Sequence, residues 1–94
     1  DMNNVEKMNT YIAGMKECGI TMEVTGLDGT QLVIQWVPGP QGGGVFYMGD
    51  KPMMESSIRR ALLKHYTADR RRMRDWIEDV AFMANQLAKR KVEA

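Results

Sequence analysis

At Gly19 the spacing of apolar residues changes from a helical period to an alternating one. Val5, Met8, Ile12 and Met15 recur at intervals of 3, 4 and 3, the repeat of one helix face. Ile20, Met22 and Val24 then alternate with Thr21, Glu23 and Thr25, and Leu32, Ile34 and Trp36 alternate with Val33, Gln35 and Val37. That is the period of a strand with one buried face. No single element satisfies both repeats, so the chain must be mixed. A helix is predicted over 4–18, with strands over 20–25 and 31–37.

Local signals agree with these boundaries. Asn3 followed by Glu6 has capping-box spacing, and Gly19 stands where a helix C-cap requires positive φ. Tyr11 is expected on the flank of this helix. Asp28-Gly29 is a dipeptide that a type I′ hairpin prefers. A third strand is predicted over 45–48, returning beside the second to complete a three-stranded antiparallel meander.

The helical period then resumes. Pro52 is placed in the first turn of a helix over 52–66, whose apolar face holds Met54, Ile58, Ala61, Leu62 and His65. Thr67 is expected to cap a last helix over 68–91, with Asp69 in its first turn and a stripe of Met73, Trp76, Ile77, Val80, Ala84 and Leu87. That helix would be about 36 Å long at 1.5 Å per residue. A small meander cannot cover such a length, so its last turns should protrude or pack on a second chain. Phe82 projects from the face opposite the stripe, among Arg71, Asp75, Glu78 and Lys89, and suits an interface. The expectation is one α+β domain over 1–94 in the order α-β-β-β-α-α, able to form a homodimer through its C-terminal helix.

Ninety-four residues suit one core, and no apolar run reaches the roughly 18 residues of a membrane span. The polar opening "DMNNVEK" lacks the pattern of a secretory leader. Cys18 is the only cysteine, which excludes an intramolecular disulfide. A soluble cytoplasmic chain without membrane association is expected.

Catalytic constellations are missing at the sequence level. His65 is the sole histidine and Cys18 the sole thiol, so neither a two-histidine metal site nor a cysteine-bound cluster can be assembled within one chain. Asp75 and Glu78 fall four residues after Arg71 and Arg74, as surface ion pairs do. No enzyme, cofactor or metal is expected. "GPQGGG", residues 39–44, has the outer glycine spacing of a phosphate-binding loop, but Val45-Phe46 replaces the Lys and Ser/Thr that reach the phosphates. Tyr47 falls where G-x-G-x-x-G requires its last glycine. The segment is therefore a mobile connection between strands, with Gly39, Gln41, Gly42, Gly43 and Gly44 as a candidate partner-binding loop.

Charge is unevenly distributed although the net is only +1. Residues 1–50 hold two lysines against six carboxylates, a balance of −4, whereas residues 51–94 balance at +5. The basic excess concentrates in Arg59, Arg60, Lys64, Arg70, Arg71, Arg72 and Arg74. With Phe82, these are the candidate partner-binding residues. Helix, three strands, helix over about residues 4–66 is similar in order to the double-stranded RNA-binding domain. The likeness stops at order: the helix after the meander begins "KPMMESSIRR" without that family's lysine-rich start, and "GLDG" lacks its Pro and His. The expected function is a non-catalytic protein-binding module. Small size, few cysteines and no site chemistry give it the profile of accessory inhibitors carried by phages and mobile elements, anti-CRISPR proteins among them. The alternative is nucleic-acid binding through the arginine-rich segment 59–74.

Overall fold

The computed structural model describes residues 2–26 and 28–93. It is an α+β domain in the order α1 (Asn4–Cys18), β1 (Met22–Thr25), β2 (Gln31–Pro38), β3 (Gly44–Met48), β4 (Lys51–Met53), α2 (Glu55–Tyr66) and α3 (Arg70–Glu93), with a short 3-10 turn at Pro40–Gly42. The strands form one antiparallel sheet in chain order. Met22, Val24, Leu32, Ile34, Trp36, Phe46, Met48 and Met53 share its inner face, as the alternation predicts. α1 and α2 pack on that face, and α3 packs along α1. Among the described residues no helix is long and apolar enough to cross a membrane.

A fourth strand stands where the second helix was predicted to begin. Met48 pairs with Lys51 across Gly49-Asp50, which places Pro52 opposite Tyr47. In a two-residue hairpin the flanking pair exchanges the hydrogen bonds, so the next position, Pro52, faces the free edge. A missing N–H costs no ladder bond there. α2 therefore starts only at Glu55, whose carboxylate is held by Lys16 of α1 and by Arg59. Those two hydrogen bonds set its pKa below the usual glutamate value. The buried face of α2 is Ile58, Leu62 and Tyr66, whereas Met54 is exposed.

Two turns also differ from expectation. The hairpin is not a two-residue type I′ turn, because the last strand pair is Thr25 with Gln31. Instead the loop is longer: Thr25 pairs with Gln31, Gly26 N–H donates to the Thr30 carbonyl, and the Asp28 carboxylate accepts from the Thr30 amide and hydroxyl. Leu27, within that turn, lies outside the described residues. Thr67 does not cap α3. Its hydroxyl donates to the Leu63 carbonyl and closes α2, while the Asp69 carboxylate accepts the Arg72 amide at 2.8 Å and caps α3.

α1 ends as predicted, with a capping box from Asn3 and Glu6 and left-handed Gly19. Its burial is wider than one stripe because it has two neighbours. Tyr11, expected on the flank, is completely buried, and Val5 is exposed. α3 runs parallel to α1: Lys7 lies over the Trp76 ring, Gly14 faces Met83, and the Arg90 guanidinium donates to the Glu17 carbonyl. The long helix is thus supported by α1 of the same chain. Trp76, Val80 and Met83 are buried in that seam, whereas Met73 and Ile77, assigned to the stripe, are 46% and 56% exposed.

Candidate functional site

The basic segment does not form one face. Arg59 donates to Glu55 and, through Nη1, to Asn9 of α1 at 3.0 Å, so it fastens α2 to α1. Arg72 turns back toward the β1–β2 loop, with Nη2 3.5 Å from the Gly26 carbonyl, and its side chain is only 11% exposed. Arg60, Lys64, Arg70, Arg71 and Arg74 remain on the surface. The pairs expected between Arg71 and Asp75 and between Arg74 and Glu78 are not among the ion pairs within 4.0 Å of the described residues.

The glycine segment is folded more tightly than a slack connection. Gly39 N–H donates to the Gly43 carbonyl at 2.7 Å, closing the Pro40–Gly42 turn, and Gln41 itself holds φ 62. Gly44 is the first residue of β3 and lies under the Trp36 indole, where any Cβ would sit 2.3 Å from Cζ2. Gly39, Gln41, Gly42 and Gly43 are exposed at this end of the sheet, remote in sequence pairing from the polar cluster described next.

That cluster lies between the edge of β1 and one flank of α3, and it was not identified from the sequence. A cleft of about 260 Å³ is lined by Glu23, Val24 and Thr25 of β1, by His65 and Tyr66 of α2, and by Arg71, Arg72, Asp75, Glu78 and Asp79 of α3. Tyr66 donates to Asp79 Oδ2 at 2.6 Å. Since that uses its single proton, the 3.0 Å contact between the two phenols has Tyr11 donating to Tyr66. Tyr66 is also stacked on Trp76 at 5.5 Å, so the chain of hydroxyls is anchored in the core.

Burial dominates the electrostatics here. It raises the pKa values of Tyr11 and Tyr66, so both phenols stay protonated, and it raises that of Asp79 despite the bond from Tyr66. His65 is shifted down by burial and by the nearby Arg72 charge. Protonated phenols and a poorly basic imidazole make this a largely uncharged hydrogen-bonded network behind the cleft. His65 Nδ1 and Arg72 Nη1 are buried with no hydrogen-bond partner among the described residues. Among the described residues no cluster of His, Cys, Asp and Glu is arranged to hold a metal ion.

Register fixes which main-chain groups face the cleft. The Gly26 amide bonds to Thr30 of the β2 side, so Gly26, Val24 and Met22 spend their hydrogen bonds on β2. By alternation the N–H and C=O groups of Glu23 and Thr25 point to the free edge. β1 is the terminal strand of the sheet, so no described strand takes them. Phe82, 48% exposed, follows Glu78 and Asp79 by one turn on the same flank of α3. The sequence had signalled Phe82 and the carboxylates separately, and only the placement of β1 joins them.

The outer face of the sheet is also uncovered. Val33, Gln35, Val37, Val45, Tyr47 and Pro52 alternate onto it, and Glu23 is the one charged strand residue pointing that way. No family model matches the chain, and no curated protein or solved structure matches it.

Proposed function

We propose that this chain is a non-catalytic protein-binding module whose contact surface is the groove between β1 and α3. One observation carries the reading: an edge strand with free main-chain groups lies beside a helix flank that presents Asp75, Glu78, Asp79 and Phe82. Open strand edges are templates for another chain, and an exposed aromatic beside polar groups is a usual anchor. The dispersal of the arginines favours this reading over nucleic-acid binding, because Arg59 and Arg72 are committed within the fold. The narrower inhibitor reading rests on composition and adds no residue to the site.

The test compares capture from native-host extract by the native chain, by Phe82→Asp and by a triple Arg60→Ser, Arg70→Ser, Arg74→Ser variant. A protein retained by the native chain and the triple variant but lost on Phe82→Asp supports the groove. If duplex DNA or RNA is instead shifted at low salt and released by the triple variant, with a log-log salt slope of about −0.9 per phosphate on DNA, the nucleic-acid reading replaces it.

A further inference from the structure

We propose that the groove's occupant is an extended segment of a partner protein, which pairs with β1 as a fifth strand and sets a lysine or arginine side chain among Asp75, Glu78 and Asp79. This inference rests on the protein-binding reading and adds the conformation and charge of the ligand.

The main chain supplies the first part. Glu23 and Thr25 each offer one N–H and one C=O toward the groove, the spacing an incoming strand requires. A helical occupant has no free amides or carbonyls along its length and would leave these groups unpaired. Arg72 Nη1 adds a buried donor at the Thr25 end, within reach of a carbonyl from a chain lying on that edge.

The side chains supply the second part. An added strand alternates its side chains between the two faces of the sheet, and those on the helix side enter the cleft beneath α3. On the helix side of that cleft three carboxylates, Asp75, Glu78 and Asp79, stand against two guanidiniums, Arg71 and Arg72, while the Glu23 side chain alternates to the outer face of the sheet. The excess is negative, so the fitting side chain is a cation. Asp79 already accepts from Tyr66 through Oδ2, which leaves Oδ1 for the ligand. A volume of about 260 Å³ has room for a long side chain and not for a folded element. Phe82 then offers apolar contact one turn further along.

A second copy of this chain fits poorly. Its β1, Met-Glu-Val-Thr, carries no cation to set among Asp75, Glu78 and Asp79.

The probes are fluorescein-labelled octapeptides of alternating Thr and Val with Lys, Gln or Glu at the helix-facing position, and a copy of the Lys peptide N-methylated on its edge-facing amides. Binding is read by anisotropy and by amide NMR of the native chain. The Lys peptide should move the Glu23 and Thr25 amide signals and bind about tenfold more tightly than the Glu peptide, as expected for charge-assisted hydrogen bonds. Asp75→Asn with Glu78→Gln should erase most of that preference, and N-methylation should abolish binding. Glu23→Pro, which removes an edge-facing N–H without touching the bonds to β2, should weaken every peptide. If Gln and Lys peptides bind equally while Glu23 and Thr25 respond, strand addition stands and charge selection is overturned. If the N-methylated peptide binds as well as its parent, or no peptide moves those amides, strand addition is overturned. The protein-binding reading then survives only if Phe82→Asp still releases a captured partner.

Discussion

Gly14→Ala is the sharpest test of how α1 and α3 meet. Inside a helix, alanine is normally favoured over glycine by roughly 0.8–1 kcal/mol, so on propensity alone the change should stabilise the protein. The structure predicts the opposite sign. A Cβ on Gly14 would lie 2.3 Å from Met83 Sδ and 2.9 Å from Met83 Cβ and Cγ. The sulfur sits at the flexible end of its side chain and can swing aside. Cβ is fixed to the α3 backbone, and carbon atoms prefer about 3.5–4.0 Å, so the helices must separate by roughly 0.5–1 Å at this point. Met83 is completely buried, leaving little free space for the sulfur to enter.

Overpacking of a core by one methyl group typically costs about 1–3 kcal/mol, and contacts this close to a fixed Cβ put Gly14→Ala in the upper part of that range, about 2–3 kcal/mol, which leaves a net loss of about 1–2 kcal/mol after the propensity gain. For a domain of this size that is a fall in Tm of roughly 5–15 °C. Circular dichroism melts and urea titrations give both numbers. Met83→Gly supplies the control: it removes Cβ as well as the sulfur and is itself destabilising, but in its presence Gly14→Ala should recover at least about 1 kcal/mol, because the added methyl then has somewhere to go. A rise in Tm for Gly14→Ala in the native background would refute the close parallel seam.

Gly44→Ala should lower the urea midpoint by an amount equivalent to about 1–3 kcal/mol, because its Cβ would meet the Trp36 ring at 2.3 Å and the Val37 carbonyl at 2.6 Å, whereas Gly43→Ala, with its nearest atom at 4.0 Å, should stay within about 0.5 kcal/mol of native. Tyr66→Phe takes the donor from Asp79 and the acceptor from Tyr11, and should cost about 1–3 kcal/mol by the same titration. Asp79 has its folded pKa raised above the ordinary 3.8, so the stability it confers is fullest below that value and is lost as pH rises through the folded pKa. Asp79→Asn, which keeps an acceptor for Tyr66, should therefore melt higher than native at neutral pH and flatten that limb of the profile; equal pH profiles would exclude a desolvated carboxylate. Since α1 covers the seam of α3, the native chain should scatter light as a 10.7 kDa monomer at micromolar concentration, and a dimer dissociated by Phe82→Asp would restore self-association through the last helix.

Periodicity revealed the fold because each buried face repeats within one element. Ile34 and Phe46 lie inward as the alternation requires, and Asn3, Glu6 and Gly19 bound α1 through contacts only three or four residues apart. Errors arose where a second element changed the meaning of a residue. Pro52 reads as a helix start until β3 is placed beside it and a free edge tolerates its missing N–H. Tyr11 reads as a flank position until α3 covers that side of α1. Thr67 has the composition of an N-cap, yet its hydroxyl is taken by a carbonyl one turn earlier. The candidate site was even less visible. Glu23, Tyr66, Arg72 and Asp79 come from three elements, and no spacing in the chain connects them. Arg72 carried a sequence signal for the wrong reason, as one member of a basic run, when its neighbours Arg71 and Arg74 face solvent and it alone folds back.

The two edges of the sheet are treated differently, and the contrast bears on what β1 is for. Exposed edges invite unwanted pairing, and proteins blunt them with proline, lysine or very short strands. β4 follows that rule: Pro52 occupies its edge-facing position and removes the donor there. β1 carries neither proline nor lysine and keeps two edge-facing residues with intact amides. Its protection is short length and the single charge of Glu23. A four-residue strand can form only about four edge hydrogen bonds, each worth about 0.5–1.5 kcal/mol net, most of which ordering an incoming chain would consume. Generic strands should therefore not accumulate on it. In the proposed complex, a segment that also satisfies Arg72, pairs a cation with Asp75 and Glu78 and covers Phe82 would gain what the short ladder lacks, so the selectivity proposed for this edge would come from the α3 flank above it.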